Sequence, residues 1–328
     1  MPRAPYVHYR DFLINNAPVP QLKKPAMTED AYEQRRRRLT GIALMCGAVL
    51  CFAILDAMAK YLGGHMDTLQ VTAIRFLTAF PLALIFSNPL TRPGMLKSKR
   101  PGLQIVRGLM LVMTTIFNFL AFRYLQLDEA LAIMFSTPFL VAILSGPILG
   151  EWVGWRRWTA IIVGFIGVLV VIRPGLGGMQ WAALLSVCAA ITYACYAIAT
   201  RLVMRHDASD TALFYGNLVG VTVMLPILPF VWTAPPSAFD LMLLFAVGAF
   251  GSVGHYLLIL AHHRAPASVL SPFMYTQLLW AVTLGYLVFA NVPSQWTLVG
   301  ASIVIGSGLY LLYRERKVRG TVAPIEPG

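Results

Sequence analysis

Ten apolar segments, separated by short polar stretches, are the feature of this sequence that most restricts its fold. A helix of about 20 apolar residues crosses the roughly 30 Å hydrocarbon core of a bilayer. The segments therefore predict an all-α polytopic membrane protein whose ten transmembrane helices lie in the lipid bilayer. We place them near 39–62, 68–88, 102–122, 128–148, 157–173, 180–204, 212–232, 239–260, 267–289 and 295–313.

The charges between the segments predict the orientation of the chain. Eighteen Lys and Arg residues border one side, including a basic loop from Arg92 to Arg107, whereas Lys60, Arg123 and Arg173 border the other. Cytoplasmic loops carry the excess of Lys and Arg, so we expect an inner-membrane protein with both termini cytoplasmic. Two tails flank the spans, a flexible one at 1–38 and a second at 314–328. The formal charge of +12 then reflects topology, and we expect no nucleic-acid partner.

The two halves of the chain resemble each other. FAILDAMAKYL (52–62) matches YACYAIATRLV (193–203), and WTAIIVGFIGVLVV (158–171) matches WTLVGASIVIGSGLYLL (296–312). Each half holds five spans, and an odd number makes the second copy enter the membrane upside down. Inverted repeats of this kind are typical of secondary transporters, which bind substrate near the midplane where the repeats meet. The sequence therefore predicts a carrier made of two inverted five-helix repeats.

Several stretches also resemble a known family, among them RPGLQIVRGLML, AFRYLQLDEALAIMFSTPFLVAIL and APASVLSPFMYTQLLWAVTLGYLVF. They are similar to the ten-span drug/metabolite transporter superfamily with paired EamA domains. The resemblance implies one EamA repeat at 39–173 and a second at 180–313. It also implies a transporter of a small organic solute, such as an amino acid, a vitamin like riboflavin, or S-adenosylmethionine. One departure is that Gly150-Glu151 follows the fourth span, whereas Phe289-Ala290 stands at the corresponding place in the second half.

Two charged residues lie inside the first two spans. Asp56 and Arg75 are about 9 and 10 Å from the outer ends of their helices, at a rise of 1.5 Å per residue, so we predict a buried ion pair. The pair either clamps two helices or senses substrate charge or a proton. Lys60, nearer the helix end, is expected to extend outward to the interface. Glu151 precedes the fifth span, where a carboxylate stabilises a helix N-terminus.

Polar and aromatic residues near mid-membrane are the candidates for substrate binding. Tyr and Trp offer flat apolar faces with one polar tip, which suits a planar or amphipathic organic solute. Pro138 and Pro272 lie inside spans four and nine, and helices broken at corresponding places in two halves point to a binding site. The candidate residues are Asn118, Ser136, Tyr193, Tyr196, His255, Tyr256, Tyr275, Gln277 and Trp280.

Other classes of protein fit the sequence less well. It contains no HExxH pair, no serine nucleophile in a GxSxG motif and no phosphate loop, so we expect neither an enzyme with catalytic residues nor a nucleotide-driven pump. We also expect no cofactor and no metal site. A channel-like uniporter stays open, although inverted repeats favour alternating access. Glycines such as Gly167 and Gly300 predict close helix packing, between the halves or in a homodimer. The driving force is either a proton gradient or the solute's own gradient.

Overall fold

The computed structural model describes residues 29–86, 93–150, 154–173 and 181–319, and this part of the chain is helical with no β-strand. The helices in chain order are α1 Glu29–Gly63, α2 Thr68–Phe86, α3 Pro101–Tyr124, α4 Leu127–Met134, α5 Thr137–Leu149, α6 Trp155–Ile172, α7 Ala183–Val203, α8 Ser209–Met224, α9 Leu228–Val231, α10 Ala238–Arg264, α11 Ala267–Met274, α12 Thr276–Phe289 and α13 Gln295–Arg319. Three spans are each divided into two helices, α4–α5, α8–α9 and α11–α12. The thirteen α-helices of the described residues therefore form the ten predicted spans, and a short 3-10 helix, Pro93–Leu96, precedes α3.

The first and last helices extend beyond the predicted spans. α1 begins at Glu29, so residues 29–38 are helical and do not belong to a flexible tail. An exposed ion pair between Glu33 and Arg37, four residues apart, supports this extension. α13 likewise continues to Arg319. The remaining residues of both predicted tails, together with Glu151, lie outside the described residues.

Spans four and nine are broken at equivalent points, as the prolines predicted. Phe135 is the C-cap of α4 and Tyr275 the C-cap of α11, and both residues have a φ of −68° with ψ near zero, at −3° and −14°. Pro138 lies in the first turn of α5, where its missing N–H is tolerated, and Pro272 lies within α11. The rings of Phe135 and Tyr275 have their centroids 5.1 Å apart. The two breaks therefore meet where the repeats join.

Helix packing follows a pseudo-two-fold relation between the halves. α1 packs along α10, and α7, the first helix of the second half, packs in the same way along α3. α2 packs on α8, its counterpart in the second half, and α6 packs on its counterpart α13. Each of these helices therefore packs against a helix of the other half. The interface between the repeats forms the centre of the bundle.

Two glycines lie at the contact between α6 and α13. A Cβ atom on Gly167 would lie 2.9 Å from the carbonyl oxygen of Gly300, and one on Gly300 would lie 2.6 Å from that of Gly167. Small residues allow this close approach of helix backbones in membranes. At these two positions the predicted glycine seam joins the two halves of one chain.

We expect Gly300→Ala to destabilise the protein by about 1–3 kcal/mol, because the added methyl group overpacks a backbone-to-backbone contact. Gly306→Ala on the same helix is the matched control, since a Cβ atom there meets nothing within 4 Å. Thermal unfolding of the purified variants in detergent measures the difference. Equal midpoints for the two variants would contradict this account of the crossing.

Candidate functional site

A polar cleft lies where the two repeats meet. Helices α2 and α3 of the first half and α7, α8 and α10 of the second half line it. Its polar and charged lining residues are Arg75, Arg107, Tyr196, Asn217, Ser252 and His255. The cavity volume is about 40 Å³, and one water molecule needs about 10–15 Å³ on this measure. The cleft in this conformation therefore holds a few water molecules and is too small for an organic solute.

Arg75 is held in the cleft by one hydroxyl group and two aromatic rings. Its Nη1 donates a hydrogen bond to Thr115 Oγ1 of α3 at 3.2 Å. The guanidinium carbon lies 4.9 Å from the ring centroid of Phe76 and 6.0 Å from that of Phe119. Its buried Nε has no hydrogen-bond partner among the described residues. A buried donor without a partner is unusual, so this atom needs an explanation.

Arg107 ties the first half of the chain to two helices of the second. Its Nε donates to Thr200 Oγ1 at 2.8 Å and its Nη2 to the Tyr196 hydroxyl at 3.0 Å, both on α7. Its Nη1 donates to the carbonyl oxygen of Ala212 on α8 at 2.7 Å. The count of loop charges includes Arg107, but the structure buries it within α3 at 4% exposure. That correction leaves the strong excess of positive charge on one side unchanged.

Asp207, in the loop between α7 and α8, binds the start of α3. Its Oδ2 accepts hydrogen bonds from Ser98 Oγ at 2.5 Å and from Gln104 Nε2 at 2.9 Å. Its Oδ1 accepts one from the backbone N–H of Lys99 at 2.8 Å. Gln104 also accepts a hydrogen bond from Arg107 at 3.4 Å, so this contact continues into the lining of the cleft. We call Ser98, Lys99, Gln104 and Asp207 the Asp207 clasp.

The opposite end of the bundle has a second polar contact between the halves. His65, in the loop after α1, places Nε2 3.0 Å from Asp240 Oδ1 in the first turn of α10. Asp240 Oδ2 also accepts a hydrogen bond from Ser237, the N-cap of that helix. We call these three residues the His65 clasp. Each clasp joins the loop after the first span of one half to the start of the third span of the other half. The two clasps are therefore equivalent under the pseudo-two-fold relation.

Asp56 and Arg75 do not form the predicted ion pair. Asp56 is 6% exposed, and its Oδ2 accepts a hydrogen bond from Gln277 Nε2 of α12 at 3.1 Å, while Arg75 binds Thr115. The prediction rested on helix rise, which gives the depth of a residue but not the direction of its side chain around the helix axis. The two charges are still near enough to interact electrostatically.

Lys60 also points elsewhere than expected. Its Nζ donates to the carbonyl oxygens of Phe122 and Leu125, at 2.8 and 2.6 Å, instead of extending outward to the interface. The last carbonyls of a helix lack partners within that helix, so the ammonium group completes the end of α3. This bond fixes α1 against α3 within the first half.

The family of the chain follows from comparison with known proteins. The model of the EamA-like transporter family matches residues 39–173 and again residues 180–314. The chain belongs to the EamA-like transporter family. The two matches coincide with the two five-helix halves of the structure. Membership makes this chain a membrane transporter of small metabolites and not an enzyme.

Relatives of this EamA-like chain carry named substrates. The S-adenosylmethionine uptake transporters of Rickettsia felis and Rickettsia prowazekii are 31% and 30% identical, over 85% of this chain and 94% of their own length. The riboflavin transporter of Vibrio cholerae is 27% identical over 85% of this chain and 95% of its own length. A crystal structure 18% identical in sequence aligns with a TM-score of 0.59 over 85% of this chain and 99% of its own, which shows a shared fold.

Two of the nine predicted substrate-binding residues line the cleft of this EamA-like chain. Tyr196 and His255 line it, and the ring of Tyr193 lies 5.6 Å from that of Tyr196. Asn118 is one helical turn beyond Thr115 on the same face of α3. Its Oδ1 is buried and has no hydrogen-bond partner in the described parts of the chain.

The other five predicted residues do not line the cleft. Ser136 and Tyr275 lie at the two helix breaks, and Gln277 follows the second of them. Trp280 is 37% exposed, and Tyr256 is half-buried on α10. Their role as substrate contacts stays a prediction.

Sequence reasoning missed Arg107, Gln104 and Asp207 as parts of this site. Arg107 could have been found, because a charge seven residues inside an apolar helix is the same signal that singled out Arg75. Asp207 gives no such signal, since a carboxylate in a polar loop is ordinary. Within the described residues, no group of three His, Cys, Asp or Glu side chains could hold a metal ion.

We expect Asp207→Asn to lower the midpoint of thermal unfolding by at least about 2–4 °C, because the amide loses acceptor capacity that three donors use. Exposed Glu33→Gln, which breaks only a surface ion pair, should change the midpoint little. Similar midpoints for the two variants would contradict a stabilising role of the clasp.

The same variant should show a characteristic pH dependence. Burial alone raises the pKa of Asp207, but the hydrogen bonds from Ser98, Lys99 and Gln104 outweigh it and hold the pKa below its usual value. A lowered pKa adds stability above the ordinary value of about 3.9, and that stability is lost as the pH falls through the folded-state pKa. The difference between wild type and Asp207→Asn should persist from about pH 7 to 5 and shrink below about pH 4. A constant difference over this range would refute the charge-based account.

Proposed function

We propose that this chain is a carrier that moves a small organic metabolite by alternating access, with S-adenosylmethionine as the first candidate solute. The carrier lies in the inner membrane with both termini cytoplasmic, so the Asp207 clasp faces the cytoplasm and the His65 clasp the opposite side. The named substrates of the Rickettsia relatives support the solute, and the positive charge around the Asp207 end supports the orientation.

The observation that supports alternating access is the position of the cleft between two equivalent clasps. Each clasp joins one repeat to the other across one end of the bundle. A cleft of about 40 Å³ admits no organic solute, so the helices must separate at one end before a solute can enter. Inverted repeats give the two ends related structures. Opening one clasp while the other stays closed would expose the cleft to one side at a time.

Riboflavin is the second candidate, because relatives 24–27% identical carry that name. The two solutes differ in charge as well as shape, since S-adenosylmethionine has a carboxylate, an ammonium and a sulfonium group. The driving force is either a proton gradient or the solute gradient alone, and imposing a pH gradient on the vesicles separates these cases.

Liposomes that contain the purified protein and are loaded with unlabelled S-adenosylmethionine should take up labelled S-adenosylmethionine faster than empty liposomes that contain the same protein. This assay measures counterflow. Such acceleration arises because a carrier returns faster with solute bound than without it. Parallel vesicles with riboflavin test the second solute, and protein-free vesicles give the background. If the uptake rate is the same in loaded and in empty liposomes, the protein is a channel, and alternating access is excluded.

Disulfide locks across the clasps test the moving parts. We expect oxidised Ser98→Cys/Asp207→Cys and oxidised His65→Cys/Asp240→Cys proteins each to stop transport, and reduction to restore it. The four single-cysteine variants are the controls, because the chain already has four cysteines of its own. If a locked protein, verified by mass spectrometry, transports as fast as its reduced form, that clasp is not a gate.

A further inference from the structure

We propose that Arg75 binds a carboxylate group of the transported solute, and hence that the solute belongs to the class of carboxylate-bearing metabolites. This inference rests on the proposed function and adds the chemical class of the solute to it. Three features support it: the charges that line the cleft, the unequal satisfaction of its two arginines, and the surroundings of the Arg75 guanidinium.

The lining of the cleft is positively charged. It contains the guanidinium groups of Arg75 and Arg107, and neither Asp nor Glu is among its described lining residues. In such a low-dielectric site, a guanidinium group attracts a nearby anionic group much more strongly than it does in water. An anionic group on the solute therefore binds more favourably here than a neutral one.

The two arginines differ in how their donors are used. All three nitrogens of Arg107 donate to protein acceptors, to Thr200, Tyr196 and the carbonyl oxygen of Ala212. Arg75, by contrast, leaves its buried Nε without a partner in the described structure. An unsatisfied buried donor costs about 1–3 kcal/mol, and more when the group is charged. A ligand acceptor at this atom would remove that cost, so Arg75 is the arginine that is available to the solute.

Asp56 does not occupy this donor. Its Oδ2 accepts the hydrogen bond from Gln277, and no ion pair joins it to Arg75. Asp56 offsets part of the positive charge at longer range. No acceptor of the described protein therefore satisfies Arg75 Nε.

The surroundings of Arg75 suit binding of a carboxylate in the plane of the guanidinium. The rings of Phe76 and Phe119 lie near it, and an arginine that stacks on aromatic rings keeps its N–H groups directed sideways. Thr115 binds Nη1, on the edge away from Nε. Nε and the terminal nitrogen beside it form a two-donor edge that matches the two oxygens of a carboxylate. Thr115 thus acts as a positioning residue for Arg75.

Asn118 adds an acceptor one turn away. Its buried Oδ1 lacks a partner in the described chain and lies on the same face of α3 as Thr115. A solute that accepts at Arg75 and donates at Asn118 would satisfy both orphaned atoms. The carboxylate and ammonium of an amino-acid head group, as in S-adenosylmethionine, have these complementary properties, whereas riboflavin has no carboxylate.

The test compares S-adenosylmethionine with decarboxylated S-adenosylmethionine, which lacks only the carboxylate, as competitors of labelled S-adenosylmethionine uptake into loaded liposomes. We expect the decarboxylated compound to compete at least about tenfold more weakly with the wild type, because it loses a charge-assisted two-donor bond. In Arg75→Gln the uptake should fall and the two compounds should become nearly equal. Arg123→Gln, which removes an exposed charge from the far end of α3, should preserve the wild-type ratio.

Two further variants keep the test independent of folding. Arg75→Lys retains the positive charge without the two-donor edge of the guanidinium group, so it should lose most of the preference for the carboxylate-bearing compound. Thr115→Val, which removes the positioning hydroxyl group, should lose part of that preference. Each variant is assayed only after its thermal unfolding midpoint matches that of the wild type. At least one of Arg75→Gln, Arg75→Lys and Thr115→Val must lose the preference for S-adenosylmethionine over the decarboxylated compound. If every folded variant keeps the wild-type ratio of competition by these two compounds, the inference is wrong.

The outcomes separate this inference from the proposed function. If S-adenosylmethionine is transported and the decarboxylated compound competes equally well with the wild type, Arg75 does not select a carboxylate, while the carrier stands. If riboflavin alone shows counterflow, the carrier also stands and the inference is wrong, since a solute without a carboxylate occupies the cleft. If folded protein moves neither solute, both proposals for these solutes are wrong.

Discussion

Hydrocarbon offers no hydrogen bonds, so every polar group inside a membrane protein must find its partner within the protein or in a ligand. The bundle meets this requirement with bonds that also join its parts. Lys60 completes the end of α3, and Arg107 bonds to three groups on two helices of the other half. Arg75 has a donor that no described protein group satisfies. Of the two arginines that line the cleft, the same rule therefore distinguishes Arg75 as the one that we assign to the solute.

The inverted repeat explains why the bundle has similar contacts at both ends but different chemistry in each. In both clasps, the loop after the first span of one half contacts the start of the third span of the other half. At one end the loop supplies the carboxylate, from Asp207, and at the other the helix supplies it, from Asp240. The positions of these contacts follow the repeat, whereas the residues that form them differ between the halves. The two ends can therefore respond differently to ions or solutes on the two sides of the membrane.

Much of the fold could be predicted from the sequence. The thickness of the bilayer sets the length of each span, so the spans could be counted. Because each half has an odd number of spans, the second half must be inverted relative to the first. The breaks at Phe135 and Tyr275 were also predictable, since proline removes a backbone donor. The functional site was harder to predict from the sequence. Depth along a helix placed Asp56 and Arg75 at the same level, but the rotation of each helix about its axis decides which side chains meet. That rotation depends on packing between distant segments, such as Asp56 with Gln277 and Arg107 with Ala212, which one sequence does not reveal.

The bare contact between Gly167 and Gly300 has a mechanical consequence. No side chain separates the two backbones there, so the helices cannot come closer, and the side chains of Val171, Ile303 and Val304 pack around the contact. The point can serve as a fulcrum for the halves, with the two ends of the bundle as lever arms of opposite sense. In the proposed carrier, a small tilt about this contact that widens one mouth would narrow the other.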